Sequence, residues 1–218
     1  MADRAARASE ELAALLLSVR KFALDRPDLV EALEKLPREK FLPTDQISVG
    51  WRPISVPIAC GQRMHDPELT LRLIHSLDPH TSLATLEVGT GSGFQTAILA
   101  RMSKKVHSID RYRTLLERAR SKLQDIGVTN VTLAQADARR DGGDSGTYDR
   151  IIVDSCFEEM PRHLLDRLAP GGIVVTAIGG ADAEQVAVKL TKIGNRFDRQ
   201  DLFPVRFSPL EHGVAAAL

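Results

Sequence analysis

Several things are scarce in this chain, and each scarcity closes off a class of function. Only two cysteines, Cys60 and Cys156, occur among 218 residues. They read as small buried hydrophobes of a chain kept in a reducing, cytoplasmic compartment. No apolar run approaches the ~20 residues that a membrane span requires, and the charged-then-apolar layout of a signal peptide is missing from the N-terminus, so no membrane association is expected. Neither sign of charge is in excess: 29 Lys and Arg balance 29 Asp and Glu. Without a basic footprint, nucleic acid is disfavoured as the main substrate. The six histidines, at 65, 75, 80, 107, 163 and 212, show no paired ligand spacing, so no metal site is expected. Repeats and low-complexity tracts are lacking, and nothing signals an oligomeric state. What remains, 43% hydrophobic and 27% charged, suits one compact catalytic unit with a helical N-terminal extension.

The most informative segment that is present runs from Leu86 to Gln95, Leu-Glu-Val-Gly-Thr-Gly-Ser-Gly-Phe-Gln. Three glycines lie between a short apolar strand and a helix expected over Phe94 to Met102. Without a Cβ at Gly89, Gly91 and Gly93 the backbone can turn sharply and approach a ligand held at the helix N-terminus. A dinucleotide site wants G-x-G-x-x-G to admit a pyrophosphate, but here the third glycine arrives one residue early and no phosphate-gripping lysine follows. The segment resembles motif I of the class I S-adenosylmethionine-dependent methyltransferases. That resemblance implies S-adenosyl-L-methionine as cofactor, with Glu87, Gly89, Thr90, Gly91, Ser92 and Gly93 around it.

A second βα unit follows: a strand over Lys105 to Ile109 closed by Asp110, then a helix from Tyr112 to Gly127. An acid about 20 residues beyond the first glycine is where a Rossmann-type site hydrogen-bonds ribose hydroxyls. Asp110, with Arg111 beside it, is assigned that role, although an acid there also suits a helix cap. Val131 to Gln135 and Tyr148 to Asp154 read as further parallel strands. Leu168 to Gly172 reads as a helix stop and turn before a strand over Ile173 to Ile178. This alternation predicts an α/β fold, a doubly wound and mostly parallel sheet, whose ligands sit beyond the carboxyl ends of the strands. The glycines, Asp110, Asp137 with Ala138, and Asp154 all fall at such ends. Asp137 is placed to meet the adenine amino group or to cap a turn.

Ahead of the sheet, helical spacing covers Arg7 to Leu24 and, after Pro27, Asp28 to Leu36. From Pro37 to His65, prolines and glycines break any period, which predicts an ordered irregular wall beside the cofactor loop. The expected division is therefore 1–66, helical extension and substrate-side loop, and 67–218, cofactor-binding domain.

Five pieces together resemble the protein-L-isoaspartate O-methyltransferase family: Arg38 to Pro43, Val56 to Gln62, the Glu87 to Gln95 loop, Pro170 to Gly172, and Val205 to Leu210. The resemblance covers nearly all of the chain from about Pro27. It implies methylation of the α-carboxylate exposed when aspartyl or asparaginyl residues isomerise in proteins and peptides, followed by spontaneous collapse to a succinimide. A carboxylate is already an anion near neutrality, so it needs positioning by donors or cations rather than a general base.

Two departures from the family pattern mark the acceptor side. After Gly61-Gln62 the family usually has Thr-Ile-Ser, whose serine helps bind substrate; here Arg63-Met64-His65 stands instead. Arg63 and His65 are candidates to hold the acceptor carboxylate, against the alternatives that Arg63 is solvated and His65 packs or caps the helix near Pro67. After the fourth strand the family has a small, nearly uncharged run, where this chain has Asp154-Ser155-Cys156-Phe157-Glu158-Glu159. Asp154 is placed to repel a carboxylate, to serve as base for a neutral acceptor, or to bind a metal, the last being the least expected. The alternatives carried forward are a same-fold methyltransferase for another acceptor and a non-catalytic binding protein.

Overall fold

Prolines set the boundaries of the first helices. In the computed structural model, which describes residues 2–140, 146–160 and 162–215, α1 (Ala2–Arg20) stops four residues short of the expected Leu24. The chain must leave helical dihedrals before Pro27, which opens α2 (Pro27–Glu34) from its first turn, where its missing N–H is not needed.

The irregular stretch that follows is ordered by burial. It contains three short 3₁₀ turns, Arg38–Lys40, Thr44–Val49 and Ala59–Gly61, and a minimal antiparallel hairpin of β1 (Val56–Pro57) and β2 (Arg63–Met64). Phe41 and Trp51 are buried in it, and so is Arg38, 1% exposed. Among the described residues the three guanidinium nitrogens of Arg38 have no hydrogen-bond partner; its cation instead lies 5.8 Å from the Trp51 ring centre and 5.7 Å from that of Phe94. Burial pushes the Arg38 guanidinium down to about 10.

Asp66 and Pro67 then start α3 (Pro67–Leu77) together. The Asp66 carboxylate accepts the Leu69 N–H at 2.9 Å as N-cap. His65, for which capping was an alternative, is thereby free of that duty.

The rest builds one seven-stranded sheet with α4 (Phe94–Met102), α5 (Arg113–Asp125) and α6 (Arg162–Asp166) between its strands. These are β3 (Ala84–Val88), β4 (Lys105–Asp110), β5 (Val131–Gln135), β6 (Tyr148–Phe157), β7 (Leu168–Ile178), β8 (Gln185–Ile193) and β9 (Arg196–Val205), in the spatial order β5-β4-β3-β6-β7-β8-β9. The first five in that row pair in parallel and the last two antiparallel, in keeping with the doubly wound, mostly parallel expectation. Alternating side chains serve the two faces: Ile152 and Val175 join a cluster with Leu15, Leu29, Leu71 and Ile98 of the first four helices. Their neighbours Ile151 and Val174 join the opposite cluster, with Leu164 of α6.

Three sequence readings need correction. Leu168 to Gly172 is a bulged entry into β7 rather than a helix stop, because Leu168 already pairs with Tyr148 before Ile173 pairs with Arg150. β6 runs past Asp154 to Phe157. The β8–β9 hairpin was not anticipated at all. Pro161, the expected start of the helix before β7, lies outside the described residues.

Candidate active site

Strand order reverses between β4, β3 and β6, and the chain folds its chemistry into the crevice beyond their carboxyl ends. The crevice is a cavity of about 610 Å³. At its floor Gly89 adopts φ +101°, and a Cβ there would come within 2.9 Å of the Asp154 Cβ. Gly93 at φ +86° precedes α4 so closely to α5 that a Cβ would lie 3.1 Å from that of Ala119. The bend is therefore reserved for glycine by conformation and by space alike.

Asp110 lines the cavity at the tip of β4. One carboxylate oxygen accepts the Gly91 N–H at 3.0 Å and the other the Tyr112 N–H at 2.9 Å. Each oxygen keeps lone-pair capacity toward the crevice. Burial pushes its carboxyl up, partly countered by those backbone donors. Arg111 and Ala138 also line the cavity. The Arg111 guanidinium is bound to the carbonyls of Gly213 and His212, each at 3.0 Å, and paired with Glu211, so it braces the C-terminal segment against β4.

Thr90 and Ser92 face a small adjoining cavity that also touches His65 and Asp154. The Thr90 hydroxyl bonds that of Ser108 at 2.6 Å, and Ser92 Oγ accepts the Phe94 N–H at 3.3 Å.

Two residues expected at the cofactor face elsewhere. Glu87 is fully buried behind the loop. Its carboxyl accepts from Ser108 Oγ at 2.6 Å, Thr96 Oγ1 at 2.5 Å and Gln95 Nε2 at 3.1 Å, tying β3, β4 and α4 together. Desolvation outweighs these donors and pushes its carboxyl up to about 7. Asp137 caps a turn: its two oxygens accept the N–H groups of Arg139 at 2.9 Å and Gly213 at 2.8 Å, while Ala136 and Ala138 beside it line the cavity.

On the acceptor side the structure joins the two departures noted in the sequence. His65 Nε2 lies 2.7 Å from Asp154 Oδ1. Among the described residues no N–H is aligned on that buried oxygen, and the pair is joined by proximity and charge. Burial disfavours the His65 imidazolium, but the Asp154 carboxylate, aided by Asp66, outweighs it and holds the imidazole above its ordinary value. The ring stacks on Phe207 with centroids 4.7 Å apart. Arg63 stands at the rim, its guanidinium donating to Ser55 Oγ at 2.9 Å and to the Ser55 carbonyl at 3.0 Å.

Phe207, Arg206, Ser208 and Leu210 were singled out only as part of a resemblance, with no place assigned. Arg206, Ser208 and Leu210 line the crevice as its roof, and the buried Phe207 joins them through its stack on His65. Past β9 the chain crosses the tip of β6, where the Cys156 N–H bonds the Ser208 carbonyl at 3.0 Å. Gln185 anchors the crossing by accepting the Phe207 N–H at 2.7 Å and donating to its carbonyl at 3.1 Å. Among the described residues no group of three or more His, Cys, Asp or Glu is disposed to hold a metal ion, and no helix is long and apolar enough to cross a membrane.

Comparison with known proteins agrees with this geometry. The family model for protein-L-isoaspartate(D-aspartate) O-methyltransferase matches residues 10–215. A protein-L-isoaspartate O-methyltransferase of Parvibaculum lavamentivorans is 36% identical over 208 residues, 94% of either chain. One from Bradyrhizobium sp. is 38% identical over 203 residues, covering 93% of this chain and 94% of that one. A Plasmodium falciparum protein described as a protein-L-isoaspartate O-methyltransferase, solved in complex with S-adenosyl-L-homocysteine, shares the fold at a TM-score of 0.76 and 23% identity, over 92% of this chain and 98% of that one. The match from the first helix to the roof of the crevice makes this chain a member of the protein-L-isoaspartate(D-aspartate) O-methyltransferase family.

Proposed function

We propose that this chain is a cytoplasmic repair enzyme that transfers a methyl group from S-adenosyl-L-methionine to the α-carboxylate of L-isoaspartyl residues in damaged proteins. The observation that carries the reading is one continuous crevice with a glycine-lined, acid-tipped half and a half bearing His65 and Arg63. The fold match supplies its family context. The two free thiols, Cys60 and Cys156, fit a reducing compartment.

The residues present fit the cofactor. The Gly89 bend leaves room where a Cβ would collide, and the spare lone pairs of Asp110 suit a ribose diol. Bound there, S-adenosyl-L-methionine supplies an electrophilic methyl group on a sulfonium. The acceptor carboxylate is an anion without help, so this chain would need to supply no general base for the methyl group to pass from sulfur to oxygen. The task of the chain is alignment at about 3 Å and exclusion of water. Arg63, His65 and Asp154 form the acceptor side in this reading, and Phe207 closes it above.

The test is incubation with labelled S-adenosyl-L-methionine and either an isoaspartyl peptide or its normal aspartyl twin. Base-labile methyl ester on the isoaspartyl peptide alone is the expected result. Transfer to neither, with S-adenosyl-L-homocysteine bound in a calorimetric titration, would point to another acceptor. No binding at all would leave a non-catalytic protein.

A further inference from the structure

His65 and Asp154 lie on different elements, one ahead of α3 and one within β6, and the fold brings them to 2.7 Å at the place where the two halves of the crevice meet. The side chains remain partly open to it, 17% and 21% exposed. The imidazole is held by two neighbours. Asp154 sets its charge, Phe207 stacks on its plane, and Asp66 is committed to the α3 cap and leaves the ring free. The other charged groups in reach are Asp66 and Arg63 from its own loop, Arg206 beside Phe207 in the roof, and Asp110 across the crevice.

An unaccompanied carboxylate beside the path of an incoming carboxylate would repel it. For a histidine alone, partial burial would disfavour the charged imidazolium and weaken any charge it could offer. Together they solve both problems, since the carboxylate keeps the imidazolium charged and the imidazolium cancels the repulsion. Resting on the methyl-transfer reading above, we propose that Asp154 is a positioning residue that holds His65 as an imidazolium, and that this imidazolium binds the acceptor carboxylate. Recognition of the acceptor is then proton-dependent, and the crevice selects anionic acceptors over neutral hydroxyls or amines.

The sign follows from the pair. The imidazolium is lost as pH rises through the elevated His65 value, so acceptor affinity is full at lower pH and falls on the alkaline side. The experiment uses the full chain, an isoaspartyl peptide and saturating S-adenosyl-L-methionine, with KM and kcat measured across about pH 6 to 9.5 for the wild type, Asp154→Asn and His65→Gln. In the wild type the peptide KM is expected to be flat and then to rise about tenfold per pH unit beyond a break. Asp154→Asn should move that break down by about one unit or more, raising KM about tenfold near neutrality with kcat within about twofold. His65→Gln, which keeps a donor and loses the charge, should give a high KM with no break. A purely structural role for Asp154 would change kcat, cofactor KM and melting together and leave the break in place.

A fully active wild type with no break, or a break that Asp154→Asn leaves unmoved, overturns the pair and leaves the methyl-transfer reading standing. Absence of any transfer to the isoaspartyl peptide overturns both. If Asp154→Asn does not fold, the wild type decides by NMR. The His65 Cε1 proton, assigned against His65→Gln, should titrate at higher pH when peptide binds beside S-adenosyl-L-homocysteine, and an unmoved titration overturns the proposal.

Discussion

At the scale of single residues, the buried acids have divided their work. Asp110 faces the crevice and Glu87 faces the scaffold, though Asp110 ends β4 and Glu87 lies one residue before the end of the adjacent β3. Replacing Asp110 by Ala removes two acceptors of backbone N–H groups and the proposed ribose contact. The affinity for S-adenosyl-L-homocysteine, read by calorimetry, is expected to fall about ten- to a hundredfold.

Glu87 acts on stability instead. Its carboxyl is raised from 4.5 to about 7, so the folded chain holds a proton that the unfolded chain releases at lower pH. The folded state therefore loses stability as pH rises from the unfolded value through about 7, by about 3 kcal/mol in full. Glu87→Gln should abolish that slope: melting curves of the two proteins should agree best in acid and diverge above neutrality, with the variant the more stable. Gly89→Ala, whose new Cβ would meet Asp154 at 2.9 Å in a left-handed backbone, should bind S-adenosyl-L-homocysteine at least about tenfold more weakly.

At the scale of elements, Gln185 is the side chain that holds the roof at both backbone groups of one residue, beside the Cys156 backbone and Arg139, which hold Ser208 and Leu210. Gln185 holds Phe207 at both its backbone groups and also donates to the Gly180 carbonyl at 3.1 Å. Gln185→Ala leaves those buried groups unpaired and should lower stability by about 2 to 4 kcal/mol. It should also raise the peptide KM more than that of S-adenosyl-L-methionine, because Phe207 stacks on His65 rather than on the glycine bend.

The elements that were legible in the sequence carried local chemistry. The Gly89 to Gly93 bend, Asp110 at a strand tip and Pro27 and Pro67 at helix starts each declare themselves within a few residues. The β8–β9 hairpin was also writable in advance. Val188-Lys189-Leu190-Thr191 alternates within a β-prone run, and Gly194-Asn195 is a two-residue turn with Gly194 at φ +61°. Asp137 carried both an adenine-contact and a turn-cap reading because an acid near a strand end looks the same from the sequence whether it faces ligand or backbone; the bonds of Asp137 to Gly213 and of Glu87 to Ser108 depend on residues distant in the chain. The contact of His65 with Asp154 could not be read at all, since it depends on two loops meeting across the sheet.

At the scale of the whole molecule, the N-terminal layer shares its core with the sheet. Leu15, Val19 and Leu33 belong to one apolar cluster with Ile98, Ile152 and Val175, and Ser18 Oγ donates to Glu68 of α3 at 2.9 Å. The division at residue 66 is then proposed as one of role rather than of folding. Trp51, the sole tryptophan, sits where that layer meets Phe94 of α4, ring centres 6.2 Å apart, and reports on that contact, whereas far-UV circular dichroism reports on the whole. Their thermal transitions should coincide, and saturating S-adenosyl-L-homocysteine should shift both by the same increment, about 2.7 kcal/mol at a hundredfold excess over Kd. An earlier Trp51 transition would mark the layer as a separate unit.

The crossing of residues 206–210 over the tip of β6 has a consequence for biosynthesis. Every strand of the sheet is translated before the segment that covers the crevice, so a nascent chain halted near Val205 would carry a finished cradle with one side missing. Such a chain would already carry His65 and Asp154, but without the Phe207 ring against the imidazole and without the contacts of Arg111 and Asp137 to residues 211–213, so both halves of the crevice would await the same late segment.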